Sequence, residues 1–366
     1  MDFGLNEQQT AVQDLAKQIF RGLAPAESLA ALERAGEGFH SVVWDALGKA
    51  QLLGLSLPEE VGGGGMGLVE LCLLVEQSGD AACPVPLLPT LVMSGLPIAH
   101  FGTSDQHARF LAPVVSGSML LTAALVASSE PIVATRNGSE WVLNGTRECV
   151  PALHLAARVL VPAHNANGSI GMFLVDTRSN GARSERQTGT NGEQLGRLLL
   201  SGVRVASSDV LGDASAGQDI LEWTLERTWL AQCALELGLA RRALLLTANY
   251  ARERQQFGRP IGTFQAVAQR AADAYVDVET IRLTLFRAAW LLDQGRDARR
   301  EVAVAKAVAA EAGHRVVCAA QHIHGGVGFD RDYPLYRYFL ASKQNEFTLG
   351  SASHHLARLG KMLAQG

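Results

Sequence analysis

The feature that most constrains the fold is a double change of pattern along the chain, near residues 118 and 212. Residues 1–117 and 213–366 space their apolar side chains three or four positions apart, which is typical of amphipathic helices. Residues 118–212 contain short apolar or alternating runs divided by Asn-Gly and other Gly-containing turns, which indicates antiparallel strands. We therefore predict an α+β, mainly α protein: an N-terminal helical domain (1–117), a middle antiparallel, barrel-like β domain (118–212) and a C-terminal four-helix-type bundle (213–366).

Local signals predict where several elements begin and end. Asn6 is expected to cap the first helix, with Gln9 three residues on as its capping-box partner. Later helices are expected over 218–254, 301–323, 335–350 and 353–363. Strands are expected over 119–126, 140–144, 157–161 and 170–175.

Composition narrows the class of protein. The 366 residues are 48% hydrophobic and 19% charged, as expected for a water-soluble protein with a large core. The formal charge of −4, without a basic stripe, argues against a nucleic-acid partner. No apolar run reaches the length of a membrane span and the N-terminus lacks a leader pattern, so we expect neither a transmembrane helix nor a signal peptide. We expect a cytoplasmic protein.

Cysteine and histidine spacing predicts neither a disulfide framework nor a metal site. The five Cys lie far apart without a CxxC pair, and we interpret them as reduced, mostly buried thiols. We identify no Cys or carboxylate at ligand spacing from the His residues of the C-terminal region, so no metal is predicted. These are His314, His322, His324, His354 and His355.

Seven short motifs follow one another in a fixed order. They lie at 55–63, 101–106, 110–117, 142–147, 209–212, 254–265 and 322–329. In this order they resemble the acyl-CoA dehydrogenase family, and together they extend over nearly the whole chain. The resemblance implies the helix–β–helix architecture, FAD as the cofactor, and α,β-dehydrogenation of an acyl-CoA thioester as the reaction.

The resemblance also implies cofactor-binding residues in two loops, namely Arg254, Phe257, Gln265, His322, Gly325 and Gly326. Arg254 would hold the pyrophosphate of an FAD bound to a neighbouring subunit, because a guanidinium binds two negative charges bidentately. Phe257 would offer a flat face to the adenine, and Gln265 a hydrogen bond to the diphosphate. The glycine pair would let backbone N–H groups approach a phosphate or ribose. His322 stands where most relatives carry Gln, and an imidazole still donates one hydrogen bond.

Both positions at which the family carries its catalytic Glu lack a carboxylate. That Glu accepts the substrate α-proton, a contribution on the order of 10²–10⁴ in rate. Leu349 occupies one position and Thr228 the other. Glu346 and Glu226 lie nearby, and we interpret both as solvated helix carboxylates. No catalytic residue is therefore predicted.

The middle region departs from the family as well. Residues 128–132 and 149–153 align with the segments that flank the flavin ring in relatives, but the second has neither the aromatic residue nor the hydroxyl. The residues that would reach a neighbour's FAD are thus present, whereas those that would hold this subunit's own flavin ring are missing.

Three hypotheses follow. The favoured one is a non-catalytic subunit that contributes FAD-binding residues to a homologous catalytic acyl-CoA dehydrogenase chain, most like the base-lacking subunits of heteromeric steroid side-chain enzymes. The complex would be a heterotetramer that oxidises an acyl-CoA and passes electrons to an electron-transfer flavoprotein. The second is an active homotetramer with Glu226 or Glu346 as an unusual base. The third is a non-enzymatic module that binds an acyl-CoA or stabilises a partner.

Overall fold

Helices make up most of the protein, which a computed structural model describes over residues 3–128 and 130–365. The helices before the sheet are α1 (Glu7–Leu23), α2 (Ala26–Ala35), α3 (Ser41–Lys49), α4 (Leu68–Ala81), α5 (Leu96–Phe101), α6 (Ser104–Gln106) and α7 (Ala112–Val115). Those after it are α8 (Gly217–Glu253), α9 (Gln265–Asp293), α10 (Arg299–His324), α11 (Leu335–Phe347) and α12 (Ala352–Gln365). None of the helices described is long and apolar enough to cross a membrane.

The strands lie between α7 and α8, apart from a short hairpin. They are β1 (Leu121–Ala123), β2 (Val133–Asn137), β3 (Glu140–Pro151), β4 (Arg158–Asn165), β5 (Ile170–Asp176), β6 (Ala182–Thr188), β7 (Gln194–Ala206) and β8 (Val210–Leu211). The hairpin strands are β9 (Gln255–Gln256) and β10 (Arg259–Pro260).

By its internal contacts the chain divides into two compact units. One combines Met1–Arg34, Leu68–Cys83 and Trp229–Gly366, and the other combines Ala35–Gly67 and Pro84–Thr228. We call them the bundle unit and the sheet unit. The domain boundaries at 117/118 and 212/213 remain predictions.

In the sheet unit, eight strands form one mixed sheet in the order β6-β7-β3-β2-β4-β5-β8, with β1 added beside β4. β4 is parallel to both β1 and β2, and the other pairs are antiparallel. The predicted β region is therefore confirmed, but its sheet is mixed rather than purely antiparallel. Its apolar core includes Trp141, Leu143, Phe173 and Leu198.

In the bundle unit, α10 packs against α9, α11 and α12, while α4 packs against α1 and α9. Small residues let α4 approach α8 closely. A Cβ added to Gly79 would lie 2.2 Å from the Leu235 carbonyl oxygen, and one added to Gly238 would lie 2.0 Å from the Glu76 oxygen. Glycine is required at this crossing because the backbones leave no room for a side chain.

The start of α4 is capped from a distant part of the chain. The Asp293 carboxylate, at the end of α9, accepts hydrogen bonds from the Leu68 N–H at 2.8 Å and the Val69 N–H at 3.0 Å. A carboxylate at this position satisfies otherwise unpaired N–H groups and interacts favourably with the helix dipole.

The predicted helix ends agree with the structure to within two residues, with one exception. Asn6 and Gln9 form the predicted capping box. The helix predicted over 335–350 ends at Phe347, because Leu349 (φ 56°) and Gly350 (φ 110°) leave the helical conformation. The prediction that this helix extends through residue 350 was therefore wrong.

Candidate functional site

The loop after α8 is a tight hairpin with an aromatic residue at its tip. Phe257 (φ 53°) and Gly258 (φ 76°) both take positive φ, as a two-residue type I′ turn requires. The Ile261 N–H donates to the Arg254 carbonyl at 2.8 Å and helps to fix the loop. Phe257 is 93% exposed although its ring lies 6.1 Å from that of Phe264.

Arg254 and Gln265 lie at the two ends of this loop and are exposed. Within residues 3–128 and 130–365, the Arg254 guanidinium makes no hydrogen bond or ion pair with another side chain, so it is available to an anion. Gln265 is the first residue of α9, whose N-terminus has no side-chain cap. The free N–H groups and the dipole at such a terminus favour a negative charge.

The second loop begins where α10 ends, at Gly325 (φ 61°). A Cβ added to Gly325 or Gly326 would meet nothing within 4 Å, so the backbone here is open to an approaching ligand. His322 is exposed and lines a groove of about 420 Å³ between α9 and α10.

A ring stack between the half-buried Tyr250 and the buried His324 joins the ends of the two loops, and no sequence pattern indicates it. The Tyr250 ring, four residues before Arg254, stacks on the His324 ring with centroids 4.4 Å apart. His324 Nδ1 lies 2.9 Å from the Ala320 carbonyl and Nε2 lies 3.1 Å from the Tyr333 hydroxyl. Burial lowers the pKa of His324, so the ring is neutral at pH 7.

The two loops fit one end of FAD. They combine an unpaired guanidinium, an exposed aromatic face, an uncapped helix start and an unobstructed glycine pair. Guanidinium and backbone N–H groups suit a diphosphate, and an exposed ring suits an adenine.

The predicted base position at Leu349 is occupied by an apolar residue in a tightly held turn. The Trp229 indole N–H donates to the Leu349 carbonyl at 3.0 Å, and the Trp229 ring packs edge-on against His355 with centroids 4.9 Å apart. His355 is fully buried, which lowers its pKa to about 4. A Cβ added to Gly350 would lie 3.0 Å from His355 Nε2, so the turn has little freedom.

The other candidate bases are committed to local contacts. The Thr228 hydroxyl is buried and donates to the Thr224 carbonyl at 2.8 Å. Glu346 is half-buried and pairs with Lys343 and with His314, whose Nδ1 lies 3.4 Å away. Glu226 is only 9% exposed and lies 3.9 Å from Arg227. The interpretation of both Glu residues as solvated was therefore wrong.

The segments expected beside a flavin ring lack its usual neighbours. Cys149 (φ 54°) and Ala152 (φ 50°) are strained where β3 ends, and Cys149 is exposed. In the other segment, Ser129 lies outside the described residues and Glu130 is exposed.

All five Cys are free, and Cys72, Cys83 and Cys233 are buried. His314 does have a Cys neighbour, since Cys318 Sγ lies 3.7 Å from its Nε2, which corrects the spacing argument. Even so, the described part of the chain holds no cluster of three or more residues that could bind a metal.

Comparison with known proteins gives the family. Residues 6–118 match the N-terminal domain of acyl-CoA dehydrogenases and residues 215–364 match the C-terminal domain. Acyl-CoA dehydrogenase FadE27 of Mycobacterium tuberculosis is 37% identical over 100% of this chain and 99% of its own length. The chain belongs to the acyl-CoA dehydrogenase family. This family consists of FAD-dependent oxidoreductases that act on CH–CH bonds.

Two solved structures within the acyl-CoA dehydrogenase family are similar throughout. A chain of the ChsE4-ChsE5 complex from Mycobacterium tuberculosis is 37% identical, with a TM-score of 0.96 and 100% coverage of both chains. A chain of a variant of the Tcur3481-Tcur3483 steroid ACAD is 42% identical, with a TM-score of 0.91 and 98% coverage of both. Both similar structures are of complexes named for two components.

Proposed function

We propose that this chain is the non-catalytic subunit of a heteromeric acyl-CoA dehydrogenase and supplies FAD-binding residues to a catalytic partner. The observation that carries the proposal is an asymmetry within the bundle unit. The cofactor loops are exposed and unpaired, whereas the Leu349 position lacks a base and is fixed by Trp229. A subunit with this pattern can contact a cofactor but cannot remove an α-proton.

The roles of the loop residues follow from their chemistry. Arg254 binds the FAD diphosphate, aided by Gln265 and the start of α9, and Phe257 packs on the adenine. His322 and the Gly325-Gly326 pair contact the same end of the cofactor. The bound FAD supplies the hydride acceptor for α,β-dehydrogenation, and the partner subunit supplies the general base.

The relatives suggest the substrate and the acceptor. One similar structure is named a steroid ACAD, which supports a steroid whose side chain is an acyl-CoA thioester as the substrate class. A further similar structure, at 27% identity and a TM-score of 0.94, concerns an electron-transferring flavoprotein, which supports that class of protein as the electron acceptor. The assembly is a cytoplasmic heterotetramer with a homologous catalytic chain.

Co-production with a homologous acyl-CoA dehydrogenase chain that retains the catalytic Glu tests the proposal. Arg254→Ala should lower the FAD content of the purified complex about tenfold or more, because a buried charge-assisted contact to the diphosphate is lost. Arg252→Ala removes a neighbouring exposed Arg of α8 and should leave FAD content unchanged. Full FAD occupancy and turnover by this chain alone would contradict the proposal. Unchanged FAD content in Arg254→Ala would instead favour a non-enzymatic role.

One observation favours a second candidate, an active enzyme with an unusual base. Glu226 is a buried carboxylate, and burial is one way in which proteins prepare a general base. If the lone chain turns over an acyl-CoA, Glu226→Gln should abolish that activity. Glu346→Gln is the matched control, since its carboxylate is already paired with Lys343.

A further inference from the structure

Arg147, in the middle of β3, is a buried cation without a counter-ion. Its exposed fraction is 6%, and its Nε is enclosed without a hydrogen-bond partner. Across residues 3–128 and 130–365, its guanidinium makes neither an ion pair nor a side-chain hydrogen bond. Burial lowers the pKa of Arg147, which reflects the cost of holding the charge out of water. A folded protein seldom keeps an unpaired buried charge unless something binds there.

The sheet register places this guanidinium on a defined face. Arg147 pairs with Leu198 of β7, and Leu198 pairs with Ser184 of β6. Residues directly opposite one another point to the same side of a sheet, and Leu198 belongs to the apolar core. Arg147 therefore lies on the core side of the β3–β7 pair.

Two further basic residues lie on or beside this face. The next row on the same side contains Val150, Gly196 and Arg186. Gly196 is covered by the turn after β3, since a Cβ added to it would lie 2.6 Å from the Leu153 side chain. His154 follows in this turn, half-buried, with its Nδ1 enclosed and unpaired.

The carboxylates of Glu148 and Glu185 lie on the opposite face of the sheet. Arg197, on the opposite face from Leu198, binds Glu148 at 2.8 Å and Glu185 at 3.4 Å. Burial and the nearby Arg186 charge both lower the pKa of His154, so its ring is neutral and can donate one N–H. Basic and hydrogen-bond-donating side chains therefore lie on or beside the core side. The Glu148 and Glu185 carboxylates pair with Arg197 on the opposite side.

We propose that Arg147, His154 and Arg186 form a binding site for a phosphate-bearing anion in the sheet unit. Two guanidinium groups and an imidazole N–H match the several acceptor oxygens and the charge of a phosphate better than those of a single carboxylate. The site does not involve the two cofactor loops, so it stands or falls independently of the proposed function.

Thermal unfolding of the full chain tests this site. Pyrophosphate, inorganic phosphate and ADP are compared at constant ionic strength, with chloride as the reference salt. A bound anion should raise Tm by a few degrees at saturation. A rise in Tm with pyrophosphate and ADP but not with phosphate would assign the site to the diphosphate of a nucleoside diphosphate. A rise in Tm with all three anions would assign it to free phosphate.

The variants separate specific binding from general charge effects. Arg147→Met should keep or raise the Tm in chloride, because an unpaired buried charge is replaced by an apolar side chain, and should lose the anion shift. Arg186→Gln should weaken the anion affinity at least threefold without changing the Tm in chloride. Arg183→Gln is the control, since Arg183 pairs with Leu199 on the opposite face. No anion shift in the wild-type chain, a shift that persists in Arg147→Met, or an equal loss in Arg183→Gln would overturn the site.

Discussion

Glu236 illustrates, at the scale of single residues, how a carboxyl group is held inside the bundle unit. Its Oε1 accepts from the Ser342 hydroxyl at 2.5 Å and its Oε2 from the Asn345 amide at 2.8 Å. Lys306, equally buried, donates to the Asn345 carbonyl at 2.8 Å rather than to the carboxyl group. Burial is the largest influence and raises the pKa of Glu236 to about 7. The stability of the protein should therefore depend on this group near neutral pH.

The sign of that dependence follows from proton binding. The folded carboxyl group keeps its proton up to about pH 7, whereas the unfolded one releases it near 4.5. The folded state thus binds more protons, and stability falls as the pH rises between these values, by about 3 kcal/mol. This pH dependence is measured by urea unfolding of the wild type and of the Glu236→Gln variant at pH 5 and pH 7.5. The free energy of unfolding of the wild type should fall relative to that of the variant at the higher pH. An equal change with pH in both proteins would show that Glu236 does not cause the pH dependence.

The sequence predicts the location of some candidate site residues but not the contacts of others. Arg254, Phe257 and the glycine pair lie in short continuous motifs, so the sequence places them on two loops without coordinates. Those functional assignments stay predictions. The Tyr250–His324 stack and the bond from Trp229 to Leu349 join residues 74 and 120 positions apart, and no local pattern indicates either contact. Burial of Glu226 was missed for the same reason, because it depends on packing.

The cap on α4 links two secondary-structure elements, because Asp293 at the end of α9 accepts hydrogen bonds from N–H groups at the start of α4. Asp293→Ala should lower the free energy of unfolding by about 1–2 kcal/mol, because two N–H groups lose a charged acceptor. A shift of the urea midpoint at unchanged slope is the readout. Asp273→Ala, an exposed position on α9, is the control and should change stability by less than about 0.5 kcal/mol. Equal effects of the two substitutions would show that the cap contributes nothing.

Among the elements, long helices were predicted most accurately because their apolar spacing repeats over many turns. The predicted 218–254 and the observed Gly217–Glu253 differ by one residue at each end. The edge strand β6 was not predicted, since its residues are mostly exposed and polar and carry no apolar alternation. The end of α11 was placed three residues too late, because the left-handed turn at Leu349 is held by Trp229 rather than by a local signal.

The proposed division of roles between the two kinds of subunit predicts the ratio of FAD to subunits in the whole assembly. Each FAD would have its ring in the catalytic partner and its diphosphate against Arg254 of this chain. Because the proposal assigns the ring-binding groups to the partner alone, we expect one FAD for every pair of subunits. Native mass spectrometry of the complex, together with flavin absorbance, gives the ratio. One FAD per chain would show that this subunit holds a complete site.

The bundle unit is assembled from three separate stretches of the chain. Asp80 of α4 binds Arg242 at 2.6 Å, and Glu33 binds Arg337 at 2.6 Å. These contacts, like the Asp293 cap, join early residues to late ones. Stability in this unit is therefore shared between stretches that no continuous fragment contains.

The Asp293 cap also has a consequence for synthesis. Leu68 leaves the ribosome 225 residues ahead of the carboxylate that caps its helix. At about 5–20 residues per second, that delay lasts roughly 11–45 s. During this interval α4, with Leu71, Leu73 and Leu74 among its core residues, has no completed bundle to cover it. For most of its translation the nascent chain thus carries an apolar helix that only α1 can cover, and its yield in a cell depends on what shields the rest of that helix until the C-terminal helices arrive.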